Sequence, residues 1–202
     1  MDTLPNPATA GMLTPVDPRQ VRPGDDGVLR CAQCGTRYDL EVTAAAGAVR
    51  GAAAELVAAV TATPASARDQ RPDPGTWSVN AYAAHVGDAL RVLAGRITRL
   101  VEEDRPDLPA WDHERDVERL RQDTVPVQRS VMVVTEQAAV VVAVLERVAA
   151  DPDAERLWRR TGTHPQLGEV GLWQVAGDAV HELRHHAADV VAVAHRVDDL
   201  RD

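Results

Sequence analysis

His181, Glu182 and His185 spell H-E-x-x-H within the stretch VHELRHHAADV. Zinc metalloproteases use this spacing, with the histidines as ligands and the glutamate as general base. On a helix turning about 100° per residue, His181 and His185 lie about 40° apart and can address one ion, while His186 is rotated away. A peptidase also needs a third protein ligand. The extended metzincin pattern would put it at Val191, with glycine where Ala188 stands, and no glutamate follows Glu182. A third ligand must therefore come from elsewhere in the chain.

His85, in AYAAHVGD, sits three residues after Tyr82 and four before Ala89, on the buried flank of a second amphipathic segment. Two histidines from the last helix and one from this helix could meet inside a bundle, where such folds build metal sites. Three neutral imidazoles would leave the ion its full charge and an open position for water or a thiol. Glu182 is either a base for that position or a carboxylate solvating the helix. Asp88, Asp178 and Asp189 each lie three or four residues from one of these histidines, the spacing of a group that orients an imidazole or of an ordinary surface carboxylate. His113, His164 and His195 carry weaker signals, and Gly177 and Ala188 leave room beside the histidines.

Cys31 and Cys34, in LRCAQCGTRYDL, have the C-x-x-C-G form of a zinc knuckle, in which glycine permits the tight turn. The second C-x-x-C of a zinc ribbon is absent. Three readings stand: a knuckle without metal, a zinc site completed by other side chains or by a second subunit in a homodimer, and a redox pair.

Proline marks the elements that must position these residues, because it breaks helix interiors. Windows free of proline run over 42–63, 75–105, 127–151 and 166–202. In the second, Ser78 is the expected N-cap, followed by Tyr82, Val86, Ala89, Leu93, Ile97 and Leu100 at steps of four and three. In the fourth, Trp173, Ala176, Val180, Leu183, Ala187, Val190 and Ala194 keep the same period. The third is rich in valine, but its uninterrupted length favours helix over strand. The first is alanine-rich, weakened by Gly47 and Gly51. Four such helices predict an all-α fold, a four-helix bundle over 42–202. Before it, 1–41 is expected as an extended segment carrying the knuckle. The connection 104–126 is long enough for a crossover, with a short helix expected in DHERDVERLRQD.

Composition removes several functions. The 202 residues carry 22 lysines and arginines against 31 acids, a formal charge of -9, and no basic, aromatic-interleaved patch for nucleic acid. No apolar run approaches the ~20 residues of a membrane span, and the start MDTLPNPATAGML lacks the regions of a signal peptide. The expectation is a cytoplasmic protein acting on a small molecule.

GTWSVNAYAAHVGDALRVLAGRI and HELRHHAADV together resemble the DinB/YfiT-like metal-binding four-helix bundles, with PDLPAWDHE and HPQLGEVGLWQVAGDAV fitting that family's loop and approach to the last helix. The likeness covers roughly residues 42–197. It implies a metal triad of His85, His181 and His185, with His186 as a neighbour. It also implies a divalent ion (zinc, nickel or iron) held by three histidines plus water. Activities in the family include mycothiol- and bacillithiol-dependent transferases and a maleylpyruvate isomerase. The implied function is a metal-dependent, thiol-using transferase or isomerase, with a hydrolase or a noncatalytic metal-binding sensor as alternatives.

Overall fold

The four expected helices form, each turning a stripe of small aliphatic side chains toward its neighbours. The computed structural model describes residues 21–111 and 121–199; His113 and most of DHERDVERLRQD lie outside them. The long helices are α1 (Val42–Ala62), α2 (Val79–Glu102) and α3 (Val127–Ala150), then, after a short α4 (Ala154–Trp158), α5 (Leu172–Asp199). In α1 the buried stripe is Ala45, Val49, Ala52, Leu56 and Val60, spaced by three and four as an amphipathic helix requires. This helix is long and apolar enough to cross a membrane, but that stripe lies in the bundle core. Val134, Val141, Val144 and Val148 of α3 are likewise buried, so packing overrides the strand preference of valine.

Ser78 starts α2 as expected, its Oγ accepting the Ala81 N–H at 3.2 Å. The same hydroxyl donates to Asp123 at 2.5 Å, tying the helix start to the turn that precedes α3. Both α1 and α2 pack against α3 and α5, while α1 and α2 scarcely touch. The first two helices therefore lie diagonally across the bundle, whereas α2 and α3 are neighbours.

The helical pattern expected from residue 166 begins at Leu172. Before it, β3 (Thr161–His164) and β4 (Gly168–Gly171) form an antiparallel hairpin. This hairpin pins the connection after α2. The Leu108 N–H donates to Thr163 at 2.7 Å and the Thr163 N–H to Pro106 at 2.8 Å, while the Arg96 guanidinium donates to the Pro109 carbonyl at 2.6 Å. Trp111 is thereby brought to α2, where its ring stacks on His85.

At the amino-terminal end, β1 (Val21–Pro23) pairs with β2 (Leu29–Cys31). The chain turns at the knuckle, where Gly35 adopts φ of +72°, a conformation that favours glycine. It returns along β2, with the Tyr38 N–H bonded to Leu29 at 2.9 Å. Tyr38 is buried against α5. A Cβ at Gly177 would come within 2.9 Å of its ring, so the space left by this glycine is filled by the tyrosine.

Candidate metal centre

Helix α5 presents two ligand pairs on adjoining strips of its surface. His181 and His185 face the knuckle, and their ligand atoms lie within 4.8 Å of one another and of those of Cys31 and Cys34. Glu182 and His186 face α2, grouped equally closely with His85. The triad of His85, His181 and His185 expected from the sequence is therefore divided. A step of one residue rotates a side chain by about 100°, and α2 packs beside the strip of Glu182 and His186.

In the second group, Glu182 Oε2 lies 3.4 Å from His85 Nε2 and 3.3 Å from His186 Nε2. Nitrogen and oxygen ligands about 2.05 Å from a tetrahedral ion would be separated by about 3.4 Å. The donor set fits a divalent ion: two imidazoles, one carboxylate, and a fourth position left to a small molecule. His85 is 3% exposed. Its ring is stacked on Trp111 at 5.5 Å and flanked by Trp77 at 5.1 Å, while Tyr82 covers His186 at 5.3 Å. These aromatics wall the group with apolar surface.

His186 is held from behind. Its Nδ1 pairs with Asp189 Oδ2 at 2.9 Å, leaving Nε2 for Glu182 and an ion, the carboxylate-backed imidazole usual at metal sites. Asp189 in turn accepts a 2.7 Å hydrogen bond from Gln33, which lies between the two cysteines. Asp189 thus takes the orienting role considered for three carboxylates. Asp88 instead pairs with Arg91 and accepts from Gln122, and Asp178 is buried near Tyr38 and Glu182. His195 is exposed, and His164 lies 3.1 Å from the Arg96 guanidinium.

The electrostatics point to a cation. Burial works against a charged His186, but Asp189 and Glu182 outweigh it and raise its pKa to about 9. Burial would likewise raise Glu182 and Asp189, yet the facing imidazoles hold both below the usual carboxylate range. A proton on His186 therefore stands where an ion would, and loading the site must displace it. On the other strip, burial lowers His181 to about 4 and also depresses His185, so both are neutral with lone pairs free to ligate. Burial, reinforced by Glu182, raises Asp178 to about 7.

The role of His186 was not read from the sequence, although Glu182 and His186 have the same one-turn spacing as His181 and His185. Asp189→Asn is expected to weaken metal binding by about 10- to 100-fold, the usual cost of losing such a supporting carboxylate. Competition against a chromophoric chelator measures it.

The family model of the DinB superfamily matches residues 48–190. No curated protein matches the sequence. Among solved structures, YfiT from Bacillus subtilis, described as a probable metal-dependent hydrolase with an unusual four-helix bundle topology, is similar with a TM-score of 0.67 and 20% identity, over 76% of this chain and 86% of its own. Mycothiol-dependent maleylpyruvate isomerase is similar in two structures, with TM-scores of 0.61 and 0.59 and 14% identity, over 76% of this chain and 62% of that one. At these identities the likeness is one of fold.

Proposed function

Because the chain belongs to the DinB superfamily, we propose that it is a metal-dependent enzyme using a low-molecular-weight thiol of the mycothiol kind to transfer a group to, or isomerise, a small electrophilic substrate. The observation that carries this reading is the convergence of His85, Glu182 and His186 at ligand spacing, three protein donors among the described residues. Three donors leave a coordination position open, as at catalytic rather than structural sites. A divalent ion held there, zinc foremost and nickel or iron as alternatives, would supply the Lewis acidity that lowers the pKa of a bound thiol or water toward neutrality, its proton leaving to solvent.

The chain's own residues do the rest. His85 and His186 offer neutral nitrogens, and Glu182 offers the one negative charge among the ligands. Asp189 fixes the tautomer and direction of His186. Trp77, Tyr82 and Trp111 restrict water and give a small organic substrate an apolar wall. Glu182 is thus read as a ligand rather than as the base. A reducing cytoplasm suits both a thiol cosubstrate and the free Cys31 and Cys34.

The fold shared with YfiT, described as a probable hydrolase, favours water in place of the thiol as the second reading. The two separate on one experiment: addition of mycothiol, bacillithiol, glutathione or cysteine to the cobalt-loaded protein, followed by visible difference spectroscopy. The thiol enzyme shows a new thiolate-to-cobalt absorption with at least one of them, lost in His85→Ala. No spectral response to any thiol, together with hydrolysis of activated esters or amides, would sink the thiol reading and leave the hydrolase.

A further inference from the structure

Cys31, Cys34, His181 and His185 come from segments about 150 residues apart, as the 154-residue separation of Cys31 and His185 shows. We propose that these four residues form a second metal site, structural and suited to zinc, that clamps the amino-terminal hairpin onto α5. All four ligand atoms lie within 4.8 Å of one another. Cys31 Sγ is 3.5 Å from His185 Nδ1. A sulfur about 2.3 Å and a nitrogen about 2.05 Å from one tetrahedral ion would be about 3.6 Å apart.

His181 is the independent witness. It is 2% exposed, and among the described residues neither ring nitrogen has a hydrogen-bond partner. A buried imidazole is costly in that state, and an ion at the centre of the group takes up one of the nitrogens. Cys31 is 1% exposed, and the backbone around it has the knuckle's turn, with the Gly35 N–H donating to the Cys31 carbonyl at 3.0 Å. The missing second C-x-x-C is thus replaced by two histidines of the same chain, and no second subunit is needed.

Two thiolates and two imidazoles neutralise a divalent ion and close its coordination, which distinguishes a structural site from the open one next to it. The sites adjoin: the rings of His185 and His186 are 5.3 Å apart. The knuckle also reaches the open site through Gln33, whose amide holds Asp189 behind His186. The closed site stands whether or not the open site is catalytic.

The test uses the full chain, zinc-loaded and then exchanged with cobalt, with metal counted by inductively coupled plasma mass spectrometry. The wild type should hold two equivalents per chain in any oligomeric state and show thiolate-to-cobalt charge transfer with no thiol added. The double variant Cys31→Ser, Cys34→Ser should hold one equivalent and lose that absorption, while His85→Ala should lose one equivalent and keep it. His181→Gln should weaken the absorbing site at least tenfold. Absence of the charge-transfer band in the wild type, or two equivalents retained in the double variant, overturns the proposal. Should the double variant fail to fold, the wild type still decides: Cys34 should react with a disulfide reagent much faster after chelation, and equal rates before and after overturn the site.

Discussion

Glu182→Ala is expected to empty the open site and to lower kcat/KM by at least about a thousandfold, equivalent to about 4 kcal/mol of transition-state stabilisation. Glu182 contributes the anionic ligand among the described donors there, at 3.3–3.4 Å from two imidazole nitrogens. Without it, His85 and His186 remain as two neutral donors on different helices, too few for a catalytic ion, which usually has three protein ligands. His186→Ala should have a comparable effect. The metal content separates this arrangement from the one expected from the sequence. If Glu182 were the base beside an ion held by His85, His181 and His185, its alanine variant would lose turnover and keep the metal, and His186→Ala would be nearly silent. Metal analysis beside steady-state kinetics on both variants reads the difference.

The bundle was legible because its causes are local. Proline-free windows and stripes at steps of three and four require no knowledge of partners, and Ser78 caps α2 for reasons contained in its own turn. The β3–β4 hairpin was not legible, since its residues, TGTH and GEVG, have little apolar alternation. Backbone pairing and contact with Pro106 and Leu108 hold it instead. The diagonal placement of α1 and α2 is also silent in the sequence, because four similar stripes do not say which will face which.

For the site, residue types were legible and their partition was not. The stretch HELRHH contains two pairs of ligand residues at the one-turn spacing, displaced from each other by a single residue. Choosing between them requires the rotation of α5. Taken from its stripe of Ala176, Val180, Leu183 and Val190, the pair Glu182 and His186 is centred roughly 95° from the core-facing direction and His181 with His185 roughly 165°. The latter pair is nearly opposite the core. His181 and His185 are buried because Cys31 and Tyr38 cover that face. That contact joins segments far apart in sequence, and no helical period records it. The cue was a histidine pair on the outward strip of a helix in a chain that also carries an unfinished cysteine knuckle.

Chelation of the closed site is expected to lower the melting temperature by roughly 8–16 °C. An ion present at about a thousand times its dissociation constant contributes about 4 kcal/mol to the folded state. In a domain of this size each kcal/mol moves the midpoint by about 2–4 °C. Scanning calorimetry with and without a strong chelator measures the shift, and His85→Ala isolates the closed site's share because it has already lost the other ion. The double variant Cys31→Ser, Cys34→Ser should start from a low midpoint and respond little to the chelator. The loss should be uneven along the chain. Amide exchange should accelerate first in β2 and residues 32–38, where Tyr38 packed at Gly177 is left as the principal anchor, while the core of α2 and α3 keeps its protection. A loosened knuckle also withdraws Gln33 from Asp189, leaving His186 less firmly directed. Chelator-resistant loss of affinity at the open site, about tenfold by the usual cost of disturbing an outer ligand contact, would then accompany the cysteine substitutions although neither cysteine belongs to the His85, Glu182 and His186 group.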